Sequence, residues 1–564
     1  MKHVKRYFLL LAIICVAGIL LTRPQVRYLA GQASESLQSY YVSARADAIN
    51  EKGFTLSYNG TMLDIENMRM SSRMHLMLPL SDVVKHLGVS ITVGENGQCF
   101  VQGQYLENAA YISDGAAASE EGETAEGSAV RTPENIQIDM TIAAQAMGLD
   151  YQWDDENRRA SLDSRQSQEL PGRFDLRENR SLNMVENQGT FGTCWAFAST
   201  AALEIALSEE ETLDFSVDHM TMNSGFNIAP TEGGDYNMAL AYLAAWKGPV
   251  LEADDPYGDG MTDTSLTAVK HLQEARFSEE KNLEQIKSMV LRYGGVESSL
   301  YMSIQNVWDT SEDYAPETSS YYYIGDEAPN HDVVIVGWDD DYSRENFNHM
   351  PQNNGAFLCR NSWGEEFGDG GYFYVSYEDC NLGVNSMTYT RLDEADNYDR
   401  IYQSDLLGWV GTLGYKEPSA WFSNVYTAES DEVLKAVSFY AVDGRTNYDL
   451  YVVPDFSDVD DLQHPLYLGS GYFENGGYYT VDIPEMVRLS EGSRFAVVVR
   501  ITTAECERPI AIEYPASDLT AGADLEDGEG YISYDGSLWT SAETEYGCNL
   551  CLKAFTNNEE SSYE

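Results

Sequence analysis

The stretch NQGTFGTCWAFASTAALEIA, Asn187–Ala206, decides how this chain is read. It places Cys194 at the end of a loop punctuated by Gly189 and Gly192, just before an almost wholly apolar run. That run holds Trp195, Phe197, Ala198, Ala201, Ala202, Leu203 and Ile205, with only Ser199, Thr200 and Glu204 as polar breaks. The pattern predicts a buried helix. A cysteine in the first turn of a helix sits at the positive end of the macrodipole, which favours thiolate over thiol. The thiolate is the nucleophile, so the placement suits covalent catalysis. The same pattern also fits a structural cysteine beside a core helix, since free cysteine is among the most buried residue types.

Two distant stretches bear on that choice. Asn330 and His331 precede VVIVGW, Val333–Trp338, a β-branched apolar run that reads as a buried strand. Asn361 and Trp363 lie in FLCRNSWGEEFGDGGYFYVSYED, Phe357–Asp379, between two further strand-like runs. A cysteine nucleophile needs a base to take its proton, and the base needs a third group to fix its tautomer and ring orientation. Alone, His331 reads as a core histidine and Asn361 as a turn residue. With Cys194 they supply nucleophile, base and orienter.

At these residues the chain resembles the papain-like cysteine peptidases. That family's histidine and asparagine follow its cysteine by about 130–150 residues. His331 falls inside the window and Asn361 somewhat beyond it, the polar segment Asp339–Asn354 lengthening the loop between the two strands. The resemblance implies Cys194 as nucleophile, His331 as general acid/base and Asn361 as its orienter. It implies Gln188 as the side-chain donor to the oxyanion, alongside the Cys194 backbone N–H. Trp363 would shield the His331–Asn361 hydrogen bond, and Gly233 and Gly234 would let an extended substrate backbone approach closely.

The departures are specific. The family usually carries a cysteine three residues before the nucleophile, where this chain has Phe191, and Thr231 stands in the place of that cysteine's partner. Both halves of one disulfide are therefore missing together, and burial of Phe191 is expected to hold the loop instead. Thr193 and Asp332 replace smaller or apolar residues common in the family, and Asp332 alters the wall of the specificity pocket.

The chain has 564 residues, too many for one core, and a formal net charge of −56 spread along its length. That charge argues against nucleic acid or an anionic membrane surface as partner. Lys2, Lys5 and Arg6 followed by the apolar run Tyr7–Leu21 read as an export signal, either cleaved or retained as an anchor in the membrane. Either way the body is expected outside the cytoplasm, extracellular or at the cell surface.

Residues 50–165 contain a repeat: Met77–Val101 recurs as Gln137–Leu162, with Gly88 aligned to Gly148 and Val93 to Trp153. Each copy reads as a strand, a short helix ended by glycine, and a hairpin. The pattern is similar to the copper amine oxidase N-terminal-like domain of bacterial surface proteins, without an evident copper ligand cluster around His75 or His86. An acidic low-complexity linker, Ser113–Thr132, separates the copies. Beyond Tyr398, aromatic-rich runs such as Val433–Val442, Tyr448–Val453, Gly477–Ile483, Phe495–Ile501 and Cys551–Phe555 alternate with turn residues and predict an antiparallel sandwich. This part resembles the lectin-like domain of some bacterial surface peptidases. Trp409, Trp421 and Trp539 are read as core residues rather than sugar platforms.

Cysteine use gives no framework. Cys548-x-x-Cys551 has no second pair for zinc, Cys506 has either of these as a candidate partner, and Cys359 has Cys380. Asp339, Asp340 and Asp341 read as a solvated loop rather than a calcium site. The expected architecture is α+β and multidomain: signal or anchor 1–30, repeat domain 50–165, papain-like two-lobe domain 168–395 and lectin-like β-sandwich 398–556. The expected function is an extracytoplasmic cysteine endopeptidase that works without cofactor or metal on peptide or protein substrates. A cell-wall or glycan ligand is assigned to the C-terminal domain. The competing readings are a surface adhesin or carbohydrate-binding protein with an inactive peptidase domain, and an acyl transferase using the same thiolate.

Overall fold

The computed structural model describes residues 42–94, 98–107, 109–112, 132–155, 157–164, 170–278 and 280–559. The N-terminal export signal and nearly all of the acidic linker lie outside the described residues. The chain divides into two units: Met1–Leu87 with Leu106–Gln166, and Gly88–Tyr105 with Ser167–Glu564.

From Cys194 to Ala244 the second unit is helical. The predicted buried helix is α1, Cys194–Leu207, followed by α2, Val217–Asn223, and α3, Tyr236–Ala244. Ser216 and Asp235 cap α2 and α3 by accepting from His219 N and Asn237 N. Trp195, Ala202, Leu203, Leu240, Tyr242 and Leu243 are almost fully buried, so the first two thirds of this half is helix packed on helix.

The second half is a twisted sheet. Its strands are β1, Lys270–Ser278; β2, Val296–Leu300; β3, His331–Asp339; β4, Ala356–Arg360; β5, Tyr372–Ser376; and β6, Ser386–Glu394, with helix α4, Leu283–Tyr293, between β1 and β2. Strand β3 is central, antiparallel to β2 on one side and β4 on the other, and its residues are buried from His331 through Trp338. A strand covered on both faces carries the unbroken apolar run seen in the sequence.

The sheet does not stop at the end of the helix-and-sheet half. Strand β1 pairs antiparallel with β8, Gly477–Leu489, as well as with β6. Strand β8 pairs in turn with β7, Glu432–Ala441, and β7 with β9, Leu552–Asn558. A second sheet, built around strands 419–427, 446–453, 466–473 and 494–503, packs over these, closing an antiparallel sandwich around Phe422, Phe439, Leu450, Val497 and Leu552. Tyr440, Val442, Tyr478, Ala511 and Cys551 belong to the same apolar cluster as α1 and α3. Trp409 lies between Phe277 and Tyr440, with ring centroids 6.0 and 6.1 Å away, a packing role as expected.

The first repeat copy has the expected two-turn helix ending at its glycine, whereas the helix of the second is a single turn that stops short of Gly148. Strand 76–79 leads into helix Leu80–Leu87 and Gly88 at φ +61°; strand 136–139 leads into helix Met140–Ala143 and, after a further turn, Gly148 at φ +69°. In the first unit the two strands pair antiparallel, Leu78 opposite Ile138. The hairpin after the first copy belongs to the second unit, where Thr92 and Ile91 pair with Gly469 and Ser470 and extend the sandwich's second sheet.

Candidate active site

Cys194 opens α1, whose N-cap Thr193 makes no side-chain cap bond, and the residue is 8% exposed. The backbone N–H groups of Asp332 and Trp195 face its sulfur and ease its ionisation. Because Asp332 follows His331, this places the start of β3 against the start of α1.

His331 Nε2 donates to Asn361 Oδ1 at 2.7 Å, which fixes the tautomer and leaves Nδ1 for the thiol. Asn361 Oδ1 also accepts from Ser362 N at 2.8 Å, and its Nδ2 is buried without a partner among the described residues. The Trp363 ring lies 4.9 Å from the imidazole and is itself buried, so water is kept from the His331–Asn361 bond. The structure brings His331, Asn361 and Trp363 together in this way.

Gln188 joins the two halves. Its backbone N–H donates to Ser362 O at 2.8 Å, while Gly364 N donates to Glu186 O at 2.8 Å, zipping the loop before α1 to the asparagine loop. Its side-chain Oε1 accepts from Ser362 Oγ at 2.6 Å and its Nε2 donates to Phe191 O at 2.8 Å. A carboxamide nitrogen has two hydrogens, so one remains for a ligand. The N–H of Cys194 is in the first helical turn, where backbone donors have no intrahelical acceptor.

The loop is held differently from expectation. Phe191 is 40% exposed and meets Tyr257 only edge-on, with centroids 6.2 Å apart. The fixing contacts are polar: Gly192 N donates to Pro230 O at 2.9 Å, Tyr257 OH donates to Gln188 O at 2.9 Å, and Thr193 Oγ1 donates to Tyr257 OH at 2.8 Å. Gly192 and Gly233 are in backbone contact; a Cβ on Gly192 would lie 2.6 Å from Gly233 N. Gly234 is exposed on the same rim but has no space for a Cβ, which would meet Trp195 Nε1 at 2.6 Å. No disulfide links any of the seven cysteines among the described residues, so neither proposed pairing forms, and Asp340 is bonded to Lys287 and to Tyr377 OH.

Electrostatics run against the helix dipole. Burial, with the nearby Asp332 carboxyl, pushes the Cys194 thiol up to about 12, and burial takes His331 down to about 4 despite the Asn361 bond. A dipole worth about 0.3–1 kcal/mol does not offset desolvation of this size. Burial thus favours the uncharged form of each group. Sequence reasoning noticed Asp332 but missed Glu297, which is fully buried on β2 and raises the thiol further.

Residues 170–392 match the papain family cysteine protease model, and residues 401–556 match that of the lectin-like domain. The chain carries a papain-type cysteine protease domain followed by a lectin-like β-sandwich. It is 29% identical to cysteine proteinase 15A of Pisum sativum, over 39% of this chain and 62% of that protein. It is 26% identical to the probable cysteine protease RD19B of Arabidopsis thaliana, over 40% of this chain and 63% of that protein. The chain thus spans about three fifths of the length of these curated relatives. The clostridial cysteine protease Cwp84 after propeptide cleavage superposes with a TM-score of 0.62 and 26% identity, covering 69% of this chain and 99% of that one. The cysteine protease and lectin-like domains of Cwp84, a surface layer associated protein of Clostridium difficile, give 0.60 and 25%, covering 70% and 90%.

Proposed function

We propose that the protein is a cell-surface cysteine endopeptidase in which Cys194 attacks a peptide carbonyl. The observation that carries this reading is the 2.7 Å His331–Asn361 bond beneath Trp363, with Cys194 at the start of a buried helix near the residue after that histidine. His331 Nδ1 takes the thiol proton as sulfur adds to the carbonyl carbon, and the imidazolium returns it to the leaving amine. Asn361 Oδ1 holds the ring and stabilises its protonated form. The Cys194 N–H and the free hydrogen of Gln188 Nε2 receive the oxyanion. Water then resolves the thioester by the same route. Gly233 and Gly234 form the rim along which an extended substrate backbone lies.

Surface location draws support from the surface-layer association stated for Cwp84 and from the export signal in the sequence. Among the described residues no helix is long and apolar enough to cross a membrane. The lectin-like domain supports a cell-wall or glycan ligand at the surface, and the repeat supports a stalk module of the copper amine oxidase-like type.

The test is labelling and turnover together. An epoxide inhibitor of papain-like enzymes should modify Cys194 alone, and Cys194→Ala should abolish both labelling and peptide hydrolysis. Full turnover by the alanine variant rules out the assignment.

A further inference from the structure

A cavity of about 400 Å³ opens in the second unit, and none of the residues assigned to catalysis lines it. Separate parts of the chain build it. The peptidase sheet supplies Glu274 and Arg276 of β1 and Arg391 of β6, and α4 ends beside them with Arg292 and Tyr293. The sandwich supplies Tyr448, Tyr472, Phe473 and, from β8, Tyr479 and Asp482. The hairpin of the first repeat copy supplies Ser90, Thr92, Phe100 and Gln102, and Thr92 Oγ1 ties it to β8 by donating to Asp482 O at 2.6 Å. Thr92, Tyr448 and Tyr479 are buried, whereas Gln102, Gly103, Arg292 and Glu474 are exposed and mark the mouth. Pockets that enclose a small ligand run from about 300 to 1,000 Å³.

The wall combines aromatic rings with ion pairs. Phe473 stacks on Tyr479 with centroids 3.8 Å apart and on Tyr448 at 4.9 Å, which makes the aromatic side rigid. Tyr472 is half-buried, its hydroxyl donating to Glu474 Oε2 at 2.9 Å. Arg276 Nε donates to Glu274 Oε1 at 2.6 Å and Nη1 to Tyr293 OH at 3.0 Å. Arg391 Nη1 donates to Asp482 Oδ2 at 2.7 Å, and its Nη2 is shared between Asp393 and Asp482. A guanidinium has more donors, and a carboxylate more lone pairs, than such pairing consumes.

Charge decides what kind of ligand fits. Arg276, Arg292 and Arg391 stand against Glu274, Glu474 and Asp482, three of each sign, in a chain whose formal net charge is −56. An anion entering here competes with a carboxylate for its guanidinium, and a cation competes with a guanidinium for its carboxylate. An apolar ligand strips water from the ion pairs and returns no hydrogen bond. A neutral molecule dense in hydroxyl groups avoids all of these costs. Its hydroxyls donate to the carboxylates and accept from the guanidinium hydrogens, and its C–H face lies against the negative face of an aromatic ring.

We infer that this cavity binds a neutral sugar, with Tyr472 as the stacking platform and the Arg276–Glu274 and Arg391–Asp482 pairs reading its hydroxyls. This rests on the glycan reading of the C-terminal domain. It places the site where the sandwich meets the peptidase sheet and the repeat hairpin, so the glycan contacts the same sheet that carries His331.

The experiment is calorimetric titration of the full chain with neutral disaccharides of glucose, galactose, mannose and N-acetylglucosamine. A disaccharide carrying a uronic acid and one carrying a free amino sugar are the charged controls. At least one neutral disaccharide should bind at a single saturable site, more tightly than either charged control. Tyr472→Ala, and Phe100→Ala in the hairpin, should each weaken that binding about tenfold. Melting curves confirm that the variants are folded, and peptide hydrolysis should be unchanged in both. Neutral-sugar binding that survives both substitutions leaves the glycan reading standing and overturns this site. Tighter binding of a charged control shows that the wall reads charge, which also overturns the inference. Absence of binding by every neutral disaccharide overturns the site and the glycan reading together.

Discussion

Removing the Asn361 side chain isolates what the orienting group contributes. In the structure its Oδ1 accepts from His331 Nε2 at 2.7 Å and from Ser362 N at 2.8 Å, with Trp363 excluding water from the pair. Asn361→Ala leaves a buried imidazole N–H without an acceptor, which costs about 1–3 kcal/mol. That energy bears on the imidazolium formed in the transition state, so kcat/KM should fall about 5- to 150-fold. His331→Ala removes proton transfer itself and should cost about 10²–10⁴-fold. Asn361→Asp sets a carboxylate against Nε2–H and favours the charged ring. It should move the acid limb of the kcat/KM profile upward from its starting point near the His331 value of about 4.

The assay is hydrolysis of a fluorogenic peptide between pH 4 and 9, normalised to labelled Cys194, with melting curves confirming that each variant is folded. The backbone bond from Asn361 N to Gly371 O, 3.0 Å, is untouched by these changes and should hold the turn in place. Two results would refute the reasoning. One is Asn361→Ala matching wild type; the other is its loss equalling that of His331→Ala. Either would mean that the 2.7 Å bond does not govern the base.

Truncation after Leu392, on the expectation of a self-contained sandwich, should leave small-peptide hydrolysis nearly intact; the continuous sheet argues otherwise. Loss of the residues beyond Leu392 bares the edge of β1 and takes Phe555 from Trp246 and Trp409 from Phe277, at about 1.5–3 kcal/mol for each large side chain fully exposed, so the short form should melt far lower or aggregate; unchanged melting would show the halves independent. Folding stability should fall as pH rises from about 5 to 8, because burial raises Glu204 to about 8, Glu513 to about 7 and Glu297 well above its usual value. Each folded state holds a proton that the unfolded chain releases near pH 4.5, a slope of about 1.4 kcal/mol per pH unit per group; a urea midpoint that is constant or rises over this range contradicts it. Glu297→Gln should flatten part of that slope. Reductant should leave the melting temperature unchanged, since no disulfide links the described cysteines; a large drop would reveal a bridge.

The sequence carried the candidate site well because its members announce themselves locally. Cys194 and Gln188 flank one glycine loop, His331 starts an apolar strand and Asn361 ends another, so spacing along the chain and residue type sufficed. Glu297 gave no such signal. In VESSL it looks like the outward position of an alternating strand, and only the β2–β3 register, Ser299 opposite Asp332, turns it toward α1. Phe191 failed for the opposite reason. Size and apolarity suggested burial, yet the loop is fixed by the hydroxyls of Tyr257 and Thr193 and by the backbone contact of Gly192 with Gly233. The partner of β1 was likewise hidden, because edge pairing depends on where Gly477–Tyr479 lands in three dimensions and not on any periodicity in Lys270–Ser278.

The thiol shows the same division between local and tertiary causes. A helix N-terminus, visible in the sequence, acts to lower its pKa by a small amount. Burial and the two carboxylates, visible only in the fold, raise it by more. The local cause is legible in the order of residues along the chain, and the larger, opposing one only in what the fold packs around the thiol.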